Sequence, residues 1–260
     1  MKKPPSSRKE ARPEETPDQK GRADASAGGS REALIAAATA RFGEAGFAAT
    51  SIRAIAADAG VNLSLISYYF GGKQGLYEAC ARDIVAKLSA IAGNAILPFG
   101  GKAGELPPPD ASLAVLERAL SAMVDFLVRQ QASRPIARFI MRELGSPGLV
   151  LDILYDEIMQ PVHTAACRLW AAATGGEPDS QTVKLTVFSL IGQIVYFRIA
   201  RPVVMRRLGW QQMGEAEADA IKAAITANLR AAALAARQAK EVPAPATAST
   251  AARTTERKAP

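Results

Sequence analysis

Residues 50–73 constrain the fold more than any other part of this chain, and they read TSIRAIAADAGVNLSLISYYFGGK. Two short runs with apolar residues at helical spacing are separated by Gly60. Glycine is the residue that most readily adopts the left-handed backbone of a tight turn, and Asn62 is a residue type that caps the first turn of a helix. The segment therefore predicts two short helices, over residues 52–59 and 63–70, joined by a tight turn.

The second of these helices is expected to have two different faces. Because a helix turns about 100° per residue, Ile66 and Phe70 point together toward a core that Ile55 also joins, whereas Ser64 and Tyr68 face away from it. Two helices that meet at a glycine turn, with small and polar groups facing outward from the second, form a helix-turn-helix motif. The second helix of such a motif enters the major groove of DNA.

The remainder of the chain is predicted to be helical as well. Alanine, the strongest helix former, is very frequent, and the alternating β-branched runs that are typical of strands are nearly absent. We expect an all-α fold, with a three-helix N-terminal domain followed by a larger helical domain. The other predicted helices cover residues 31–45, 73–96, 111–131, 134–145, 148–174, 179–205 and 215–237, with a kink or a break at Pro161.

The two ends of the chain differ from the rest in composition. Residues 1–29 and 238–260 are rich in polar residues and proline, and both are expected to be disordered because they can bury little apolar surface. Of the net charge of +7, residues 1–30 carry +2 and residues 237–260 carry +3. These tails either add non-specific affinity for an anionic partner or serve only as solvated linkers. The folded domains are expected at residues 30–77 and 78–237.

The motif and its flanks resemble the DNA-binding domain of the TetR family of transcriptional regulators. The residues that carry the resemblance are Phe42, Gly46, Thr50, Ile55, Ala56, Ala59, Gly60, Val61, Tyr68, Tyr69, Phe70, Lys73, Leu76 and Tyr77. The resemblance implies a DNA-binding domain that contacts phosphates at a helix N-terminus and base edges from the second helix of the motif. The DNA-binding residues that it implies are Thr50, Ser51, Arg53, Asn62, Leu63, Ser64, Leu65, Ser67, Tyr68, Tyr69 and Lys73.

The base-facing positions of the second helix carry unusually plain side chains. Leu63, Ser64 and Leu65 include no Arg, Gln or Asn that could form two hydrogen bonds with one base. Contacts with thymine methyl groups and the shape of the DNA are therefore expected to carry more of the specificity.

The C-terminal part resembles the corresponding domain of the CerR, or CecR, subgroup of this family. The resemblance lies in IARFIMRELGSPG (residues 136–148), in Pro161-Val162-His163 and in LIGQIVYFRIARPVVMRRLGW (residues 190–210). It implies dimerisation and a ligand cavity for a small, largely apolar effector. The candidate ligand-binding residues, each of which is also compatible with an ordinary core or surface role, are Arg138, Met141, Tyr155, His163, Trp170, Gln193, Tyr196 and Arg198.

The last two helices are expected to form the dimer interface. One carries a wide apolar face, and the last, alanine-rich helix carries apolar residues at four-residue spacing. A pair of such helices and its symmetry mate would give a four-helix interface, although both faces could instead belong to the core of a single chain. The residues of these faces are Val183, Val187, Leu190, Ile191, Ile194 and Val195, and then Ile221, Ile225 and Leu229.

Few features of the sequence support an enzyme, a metalloprotein or a membrane protein. GxSxG, P-loop, GxGxxG and HExxH motifs are absent, His163 is the only histidine, and neither a metal site nor a cofactor is expected. Cys80 and Cys167 are expected to be buried free thiols, which suits a reducing cytoplasm. The N-terminus lacks the apolar stretch of a signal peptide, and no run of about 18 apolar residues predicts a membrane span.

Together these features predict a cytoplasmic, sequence-specific transcriptional regulator. We expect a homodimer that binds a palindromic operator in double-stranded DNA and acts as a repressor released by a small-molecule effector. A regulator without ligand control, an architectural DNA-binding protein and an activator remain alternatives.

Overall fold

Every regular element of the described chain is a helix, as seen in a computed structural model of the protein. The structure describes residues 17–93, 95–101, 105–145 and 147–241, with side chains from residue 28 to residue 240. The fold is all-α, as predicted. The α-helices are α1 (Pro17–Ala49), α2 (Ile52–Asp58), α3 (Ser64–Phe70), α4 (Lys73–Gly93), α5 (Pro109–Val124), α6 (Arg134–Glu143), α7 (Leu149–Leu154), α8 (Gln160–Thr174), α9 (Gln181–Ile199), α10 (Arg201–Leu208) and α11 (Glu215–Glu241).

The ends of the helical region differ from the predicted ones. Helix α1 begins at Pro17, so residues 17–29, which were predicted to be disordered, form helical backbone. Six of these thirteen residues are Ala, Lys, Gln or Arg, which favour a helix, whereas Gly21, Gly28 and Gly29 do not. Helix α11 likewise extends to Glu241. The rest of the predicted tails, residues 1–16 and 242–260, lies outside the described residues.

Two of the long predicted helices are divided at prolines. A π-helical segment, Tyr155–Met159, separates α7 from α8 immediately before Pro161, as the predicted kink required, since a proline removes one backbone hydrogen bond from a helix. The predicted helix 179–205 consists of α9 and α10, which meet at Ala200. Pro202 lies in the first turn of α10, where the missing N–H of proline has no intrahelical partner to lose.

The described residues form two compact units. Among the described residues, the first unit comprises residues 17–97 and Asp125–Val162, and the second comprises Pro98–Val124 and residues 163–241. Helices α6 and α7 therefore belong to the unit that contains the helix-turn-helix motif, although the sequence pattern alone places them in the C-terminal domain. The reason is packing, because α6 contacts α1 and α7 contacts α4.

The core of the first unit is centred on aromatic rings from three helices. Phe42 of α1 and Phe139 of α6 both contact Tyr77 of α4, with ring centroids 4.7 and 5.4 Å apart. Gly43 permits the close approach of α6 to α1, since a Cβ at this position would lie 3.0 Å from the backbone nitrogen of Phe139. Cys80 is buried in the same core as a free thiol, as predicted, and its burial raises the pKa of the thiol to about 12.

The second unit packs α5, α9 and α11 against one another. Its buried apolar side chains include Val187, Ile194, Ile225 and Leu229, together with the predicted free thiol of Cys167. Of the described helices, α9 alone has the length and the apolar composition that a membrane crossing requires.

Candidate nucleic-acid interface

The turn between α2 and α3 is built as the sequence predicts. Gly60 has a φ of 65°, and the N–H of Val61 donates to the carbonyl oxygen of Ala56 to close the turn. Asn62 caps the following helix, because its Oδ1 accepts a hydrogen bond from the backbone N–H of Ser64 at 2.9 Å. These contacts fix the direction in which α3 leaves the turn.

Helix α3 has one buried side and one polar, exposed side. Ile66 is fully buried in the core of the first unit, whereas Tyr68 is 79% exposed. Ser64 and Ser67 are exposed beside Tyr68. Since none of these outward groups satisfies a polar group of the core, the exposed side of α3 is available for contact with another molecule.

Three other residues predicted to bind DNA contribute to α3 mainly through packing. Leu63, Leu65 and Tyr69 are half-buried and pack against the core of the first unit. The Tyr69 ring also contacts the Tyr68 ring, with centroids 5.0 Å apart. These side chains therefore orient α3, and only their exposed edges can reach a partner.

At the N-terminus of α2, two residues that were predicted to bind DNA, Ser51 and Arg53, lie on the surface, whereas the third, Thr50, lies in the interior. Ser51 caps the helix by accepting a hydrogen bond from the N–H of Arg53, and both residues are exposed. The hydroxyl of Thr50 is buried and donates to the carbonyl oxygen of Gly46 at 2.7 Å. The expectation that the Thr50 side chain holds a phosphate is therefore corrected. Its hydroxyl instead satisfies a carbonyl at the end of α1, where the backbone of Gly46 leaves the helical conformation.

Lys73 lies at the start of α4, on the surface of the first unit. Its ammonium group donates to the carbonyl oxygen of Ala48 at 3.3 Å and lies 4.6 Å from the centre of the Phe47 ring. These contacts hold the charge near the C-terminal end of α1 without neutralising it. A cation in this position can contact a phosphate.

Two features that the sequence did not reveal fix the helices of the motif relative to one another. Arg41 of α1 forms an ion pair with Asp58 of α2, with a second hydrogen bond of 2.8 Å, and this hydrogen bonding holds the pKa of the Asp58 carboxyl below its usual range. At the junction of α3 and α4, a Cβ on Gly75 would lie only 1.9 Å from the carbonyl oxygen of Phe70. The backbones of α3 and α4 are therefore packed directly against each other.

Helix α6 is attached to both α1 and α4 within the first unit. Arg142 donates to the carbonyl oxygens of Gly43 and Glu44 near the end of α1, the latter at 2.6 Å. The buried carboxylate of Glu143 accepts a short hydrogen bond from the hydroxyl of Tyr77, and burial together with this bond raises the pKa of Tyr77. Movement of α6 would therefore act directly on the helices that carry the motif.

The predicted ligand-binding residues are divided between the two units. In the first unit, Arg138 is exposed and pairs with Glu44 at 2.9 Å, Met141 packs against the core, and Tyr155 is exposed. The charge of Arg138 thus attaches α6 to the end of α1, and helical spacing in the sequence does not predict this ion pair. No single unit holds all eight residues.

In the second unit, two of the predicted residues have identified side-chain partners, and a third is buried. His163 stacks on Phe188, with ring centroids 4.0 Å apart. The side-chain oxygen of Gln193 accepts a hydrogen bond from the amide of Asn228 at 2.8 Å. Trp170 is buried in the core.

The other two predicted residues of this unit lie near the end of α9. Tyr196 is exposed, and Arg198 is half-buried. The function of the five residues in this unit as ligand contacts stays a prediction.

The geometry of the first unit defines a class of protein, a helix-turn-helix DNA-binding protein, and comparisons with known proteins agree with it. Residues 34–80 match the model for bacterial regulatory proteins of the tetR family. Residues 114–236 match the model for the C-terminal domain of the HTH-type transcriptional dual regulator CecR.

Individual relatives and solved structures support the same assignment. The chain is 34% identical over 204 residues to the HTH-type transcriptional dual regulator CecR of Shigella flexneri, covering 76% of this chain and 89% of that protein. It is similar in fold to a TetR-like transcriptional regulator from Rhodococcus sp. RHA1, with a TM-score of 0.56 and 20% identity over 79% of this chain and 96% of that one. A transcriptional regulator from Pseudomonas aeruginosa PAO1 gives a TM-score of 0.55, with 19% identity over 80% and 92% of the two chains.

The chain belongs to the TetR family of bacterial transcriptional regulators and carries a CecR-type C-terminal domain. It is a DNA-binding regulator, and its relatives are transcriptional regulators rather than enzymes.

Proposed function

We propose that the protein is a cytoplasmic homodimeric repressor that binds a palindromic operator and is released from it by a small-molecule effector. The observation that carries the proposal is the exposed polar side of α3, where Ser64, Ser67 and Tyr68 face outward while Ile66 anchors the helix in the core. With Ser51, Arg53 and Lys73 nearby in the same motif, this surface offers both base-reading groups and phosphate-binding groups.

The proposed dimer uses exposed faces of α9 and α11, and these are not the faces expected from the sequence. Val183, Val187, Leu190 and Ile194 are buried, as are Ile221, Ile225 and Leu229. Most of the predicted interface therefore belongs to the core of the second unit.

Another apolar face of α9 lies in contact with solvent. We call Leu185, Phe188, Gly192, Tyr196 and Ile199 the outer stripe of α9, because all five are exposed and follow one another at intervals of three or four residues. On α11 a second exposed stripe has the same spacing and consists of Ala220, Ala224, Ala227, Ala231 and Leu234. Small side chains allow helices to approach closely, so the two stripes are suited to a four-helix interface with a second copy.

A dimer also explains how a short motif reaches operator affinity. Helix α3 has seven residues and is about 10 Å long, so one copy reads only part of one major groove. Two copies related by a two-fold axis read two half-sites, which makes the operator an inverted repeat.

The proposed control by an effector has a physical route within the first unit. An effector that prefers the non-binding conformation by about 100-fold supplies about 3 kcal/mol of coupling. Because Arg142 and Glu143 attach α6 to α1 and α4, a shift of α6 would reorient the helices that present α3. This route supports α6 as the helix that transmits the effector's preference to α1 and α4.

The first test is selection of bound duplexes from a random DNA pool by the full-length protein. We expect enrichment of one inverted repeat, bound with a Kd in the nanomolar range, and a mass of two chains by sedimentation in the absence of DNA. Enrichment of no repeat would contradict sequence-specific binding, and a monomer at micromolar concentration would contradict the dimer.

The second test is a screen of small apolar, aromatic and anionic compounds for release of the selected duplex, followed by fluorescence anisotropy. Gln193→Ala and Arg198→Ala are expected to raise the concentration of active compound needed for release, and Gln211→Ala, an exposed residue outside α9, serves as the matched control. If no compound releases DNA, the ligand-independent regulator becomes the better description.

An activating role is the second candidate, because the relative from Shigella flexneri is named a dual regulator. Transcription in vitro from a promoter that carries the selected repeat distinguishes the two roles. Repression predicts fewer transcripts on addition of protein, and activation predicts more.

A further inference from the structure

The basic side chains of the first unit divide into those with an acidic partner and those without one. Five arginine and lysine residues form ion pairs with carboxylates, and these are Arg41, Arg82, Lys87, Arg129 and Arg138. Among the residues with described side chains, Arg31, Arg53, Lys73 and Arg142 have no carboxylate within ion-pairing distance. Arg142 instead donates to the carbonyl oxygens of Gly43 and Glu44. Arg53 and Lys73 already belong to the proposed DNA surface, whereas Arg31 is not assigned to it by sequence.

Arg31 lies beside the C-terminal end of the recognition helix. Its guanidinium group is 5.5 Å from the centre of the Phe70 ring, and Phe70 is the last residue of α3. The ring of Phe70 in turn lies 6.0 Å from that of Tyr69, and Tyr69 lies 5.0 Å from Tyr68. A continuous row of rings therefore connects the exposed Tyr68 with the charge of Arg31.

We propose that Arg31 binds a phosphate of the operator, on the strand that borders the C-terminal end of α3. The inference rests on the proposed DNA-binding function and adds a residue to it. It lies outside the family match, which begins at residue 34. An arginine that stacks on a ring retains its edge N–H groups for a phosphate, and the planar group suits two parallel hydrogen bonds to phosphate oxygens.

The dimensions of the motif agree with this role. Helix α3 is about 10 Å long, and the major groove that it enters is about 12 Å wide between two phosphate strands. A cation attached to one end of the helix is therefore within reach of a strand. Arg31 is exposed, so its charge is not separated from such a strand by the core.

The alternative is that Arg31 only covers the Phe70 ring, and the salt dependence of binding separates the two roles. Each phosphate contact contributes about 0.9 to the slope of log affinity against log salt. In a dimer, Arg31→Gln should reduce the magnitude of the slope by about 1.8, and Arg31→Lys should restore most of it. The matched control is Arg82→Gln on α4, where the arginine is exposed and pairs with Glu78.

The experiment measures Kd of the full-length protein at 50–300 mM potassium chloride on the duplex that the wild-type protein enriches from a random pool. The expected result is a weaker affinity and a shallower slope for Arg31→Gln, with unchanged melting temperature and an unchanged slope for Arg82→Gln. An unchanged slope for Arg31→Gln, or a lower melting temperature that accounts for its weaker binding, overturns the proposal. If the wild-type protein itself binds no duplex, the proposed function fails instead.

Replacing single phosphates by neutral methylphosphonates identifies the contact directly. For the wild-type protein, one substitution in each half-site should weaken binding at the position that Arg31 reaches. In the Arg31→Gln variant the same substitution should have no further effect, because the partner of that phosphate is already lost. Additive losses at every phosphate position would show that Arg31 touches none of them.

Discussion

Helices α3 and α9 both have a buried side and an exposed side, but the two exposed sides differ in chemistry. On α3 the buried side is apolar and the exposed side carries Ser64, Ser67 and Tyr68. On α9 both sides are apolar, with Ile194 buried and Phe188 58% exposed. A helix with one apolar face can be oriented from its sequence, whereas a helix that is apolar on two sides cannot, because either side is compatible with the core.

The largest expected effect comes from placing a charge on each of the two faces of the second unit. Ile225→Glu buries a carboxylate in the core and should leave the protein insoluble or unfolded, since an unpaired buried charge costs several kcal/mol. Phe188→Glu changes an exposed residue of the outer stripe, so the chain should remain folded and lose its dimeric mass. Circular dichroism and analytical ultracentrifugation of both variants measure the difference.

This pair of variants can also show that the buried and exposed faces of α9 and α11 have been assigned incorrectly. Gln211→Glu, at an exposed residue outside α9, controls for the effect of added charge on solubility. A Phe188→Glu variant that remains dimeric, together with a folded Ile225→Glu variant, would mean that the buried and exposed faces of α9 and α11 have been interchanged.

The next largest effect is expected at the junction of α3 and α4. Gly75→Ala introduces a methyl group 1.9 Å from the carbonyl oxygen of Phe70, so the two backbones must separate, at a cost of about 1–3 kcal/mol or more. We expect a lower melting temperature and a large loss of DNA affinity, because α3 is displaced. Gly93→Ala, in open space at the end of the same helix, should be neutral or stabilise the protein by up to about 1 kcal/mol.

The features that could be predicted from the sequence are those that short-range interactions determine. The turn at Gly60, the cap at Asn62 and the opposite directions of Ile66 and Tyr68 all depend on neighbours a few residues away. They are set by backbone conformation and helical spacing alone. For this reason the motif was placed correctly before its packing was known.

What could not be predicted depends on contacts between residues far apart in sequence. Thr50 faces inward because its hydroxyl donates a hydrogen bond to the carbonyl oxygen of Gly46. Arg138, whose charge suggested a role in a ligand pocket, instead forms an ion pair with Glu44 of α1. The outer stripe of α9 could not be recognised because an apolar residue is compatible with either face until the neighbouring helices are known. The burial of most of the predicted dimer face in the core of the second unit has the same origin.

A smaller effect is expected on α3 itself, where stability and DNA affinity should separate. Tyr68→Ala removes a ring that is 79% exposed and should weaken DNA binding by about tenfold or more, as the loss of a base contact does, with little change in melting temperature. Ile66→Ala removes a fully buried side chain and should cost about 2–5 kcal/mol of stability. Similar melting losses in both variants would contradict the orientation of α3.

A loss confined to stability is expected at Thr50. Thr50→Val leaves the carbonyl of Gly46 without its hydroxyl donor and should cost about 1–3 kcal/mol, while the folded fraction binds DNA as before. Ser51→Ala, at the exposed cap of α2, should cost about 1 kcal/mol and also reduce DNA affinity if its hydroxyl contacts a phosphate. Chemical denaturation and anisotropy titrations, corrected for the folded fraction, compare the two.

The smallest expected effect is a pH dependence that arises in the second unit from its one histidine. Burial lowers the pKa of His163, and the charge of Lys184 acts in the same direction, while a hydrogen bond to the Lys184 carbonyl opposes them. The ring also lies beside the buried thiol of Cys167, whose pKa is raised to about 11 by burial and which stays neutral in this range. Asp179 forms an ion pair with Lys184.

The sign of the effect follows from which state binds the proton. Above about pH 6.5, the ordinary pKa of histidine, the imidazole is neutral in both the folded and the unfolded chain. In that range it contributes nothing to the pH dependence of the stability. As the pH falls below that value, the unfolded chain takes up a proton that the folded chain resists, so stability decreases until the folded pKa is reached.

Because the sequence contains one histidine, His163→Gln should remove this part of the loss, and the drop in melting temperature between pH 7.5 and pH 5.5 should be smaller in the variant. His163 stacks on Phe188 of the outer stripe, so a dimer that covers this stripe should make the difference larger at high protein concentration than at low protein concentration. An equal drop in wild type and His163→Gln would show that the imidazole is protonated equally in the folded and unfolded states.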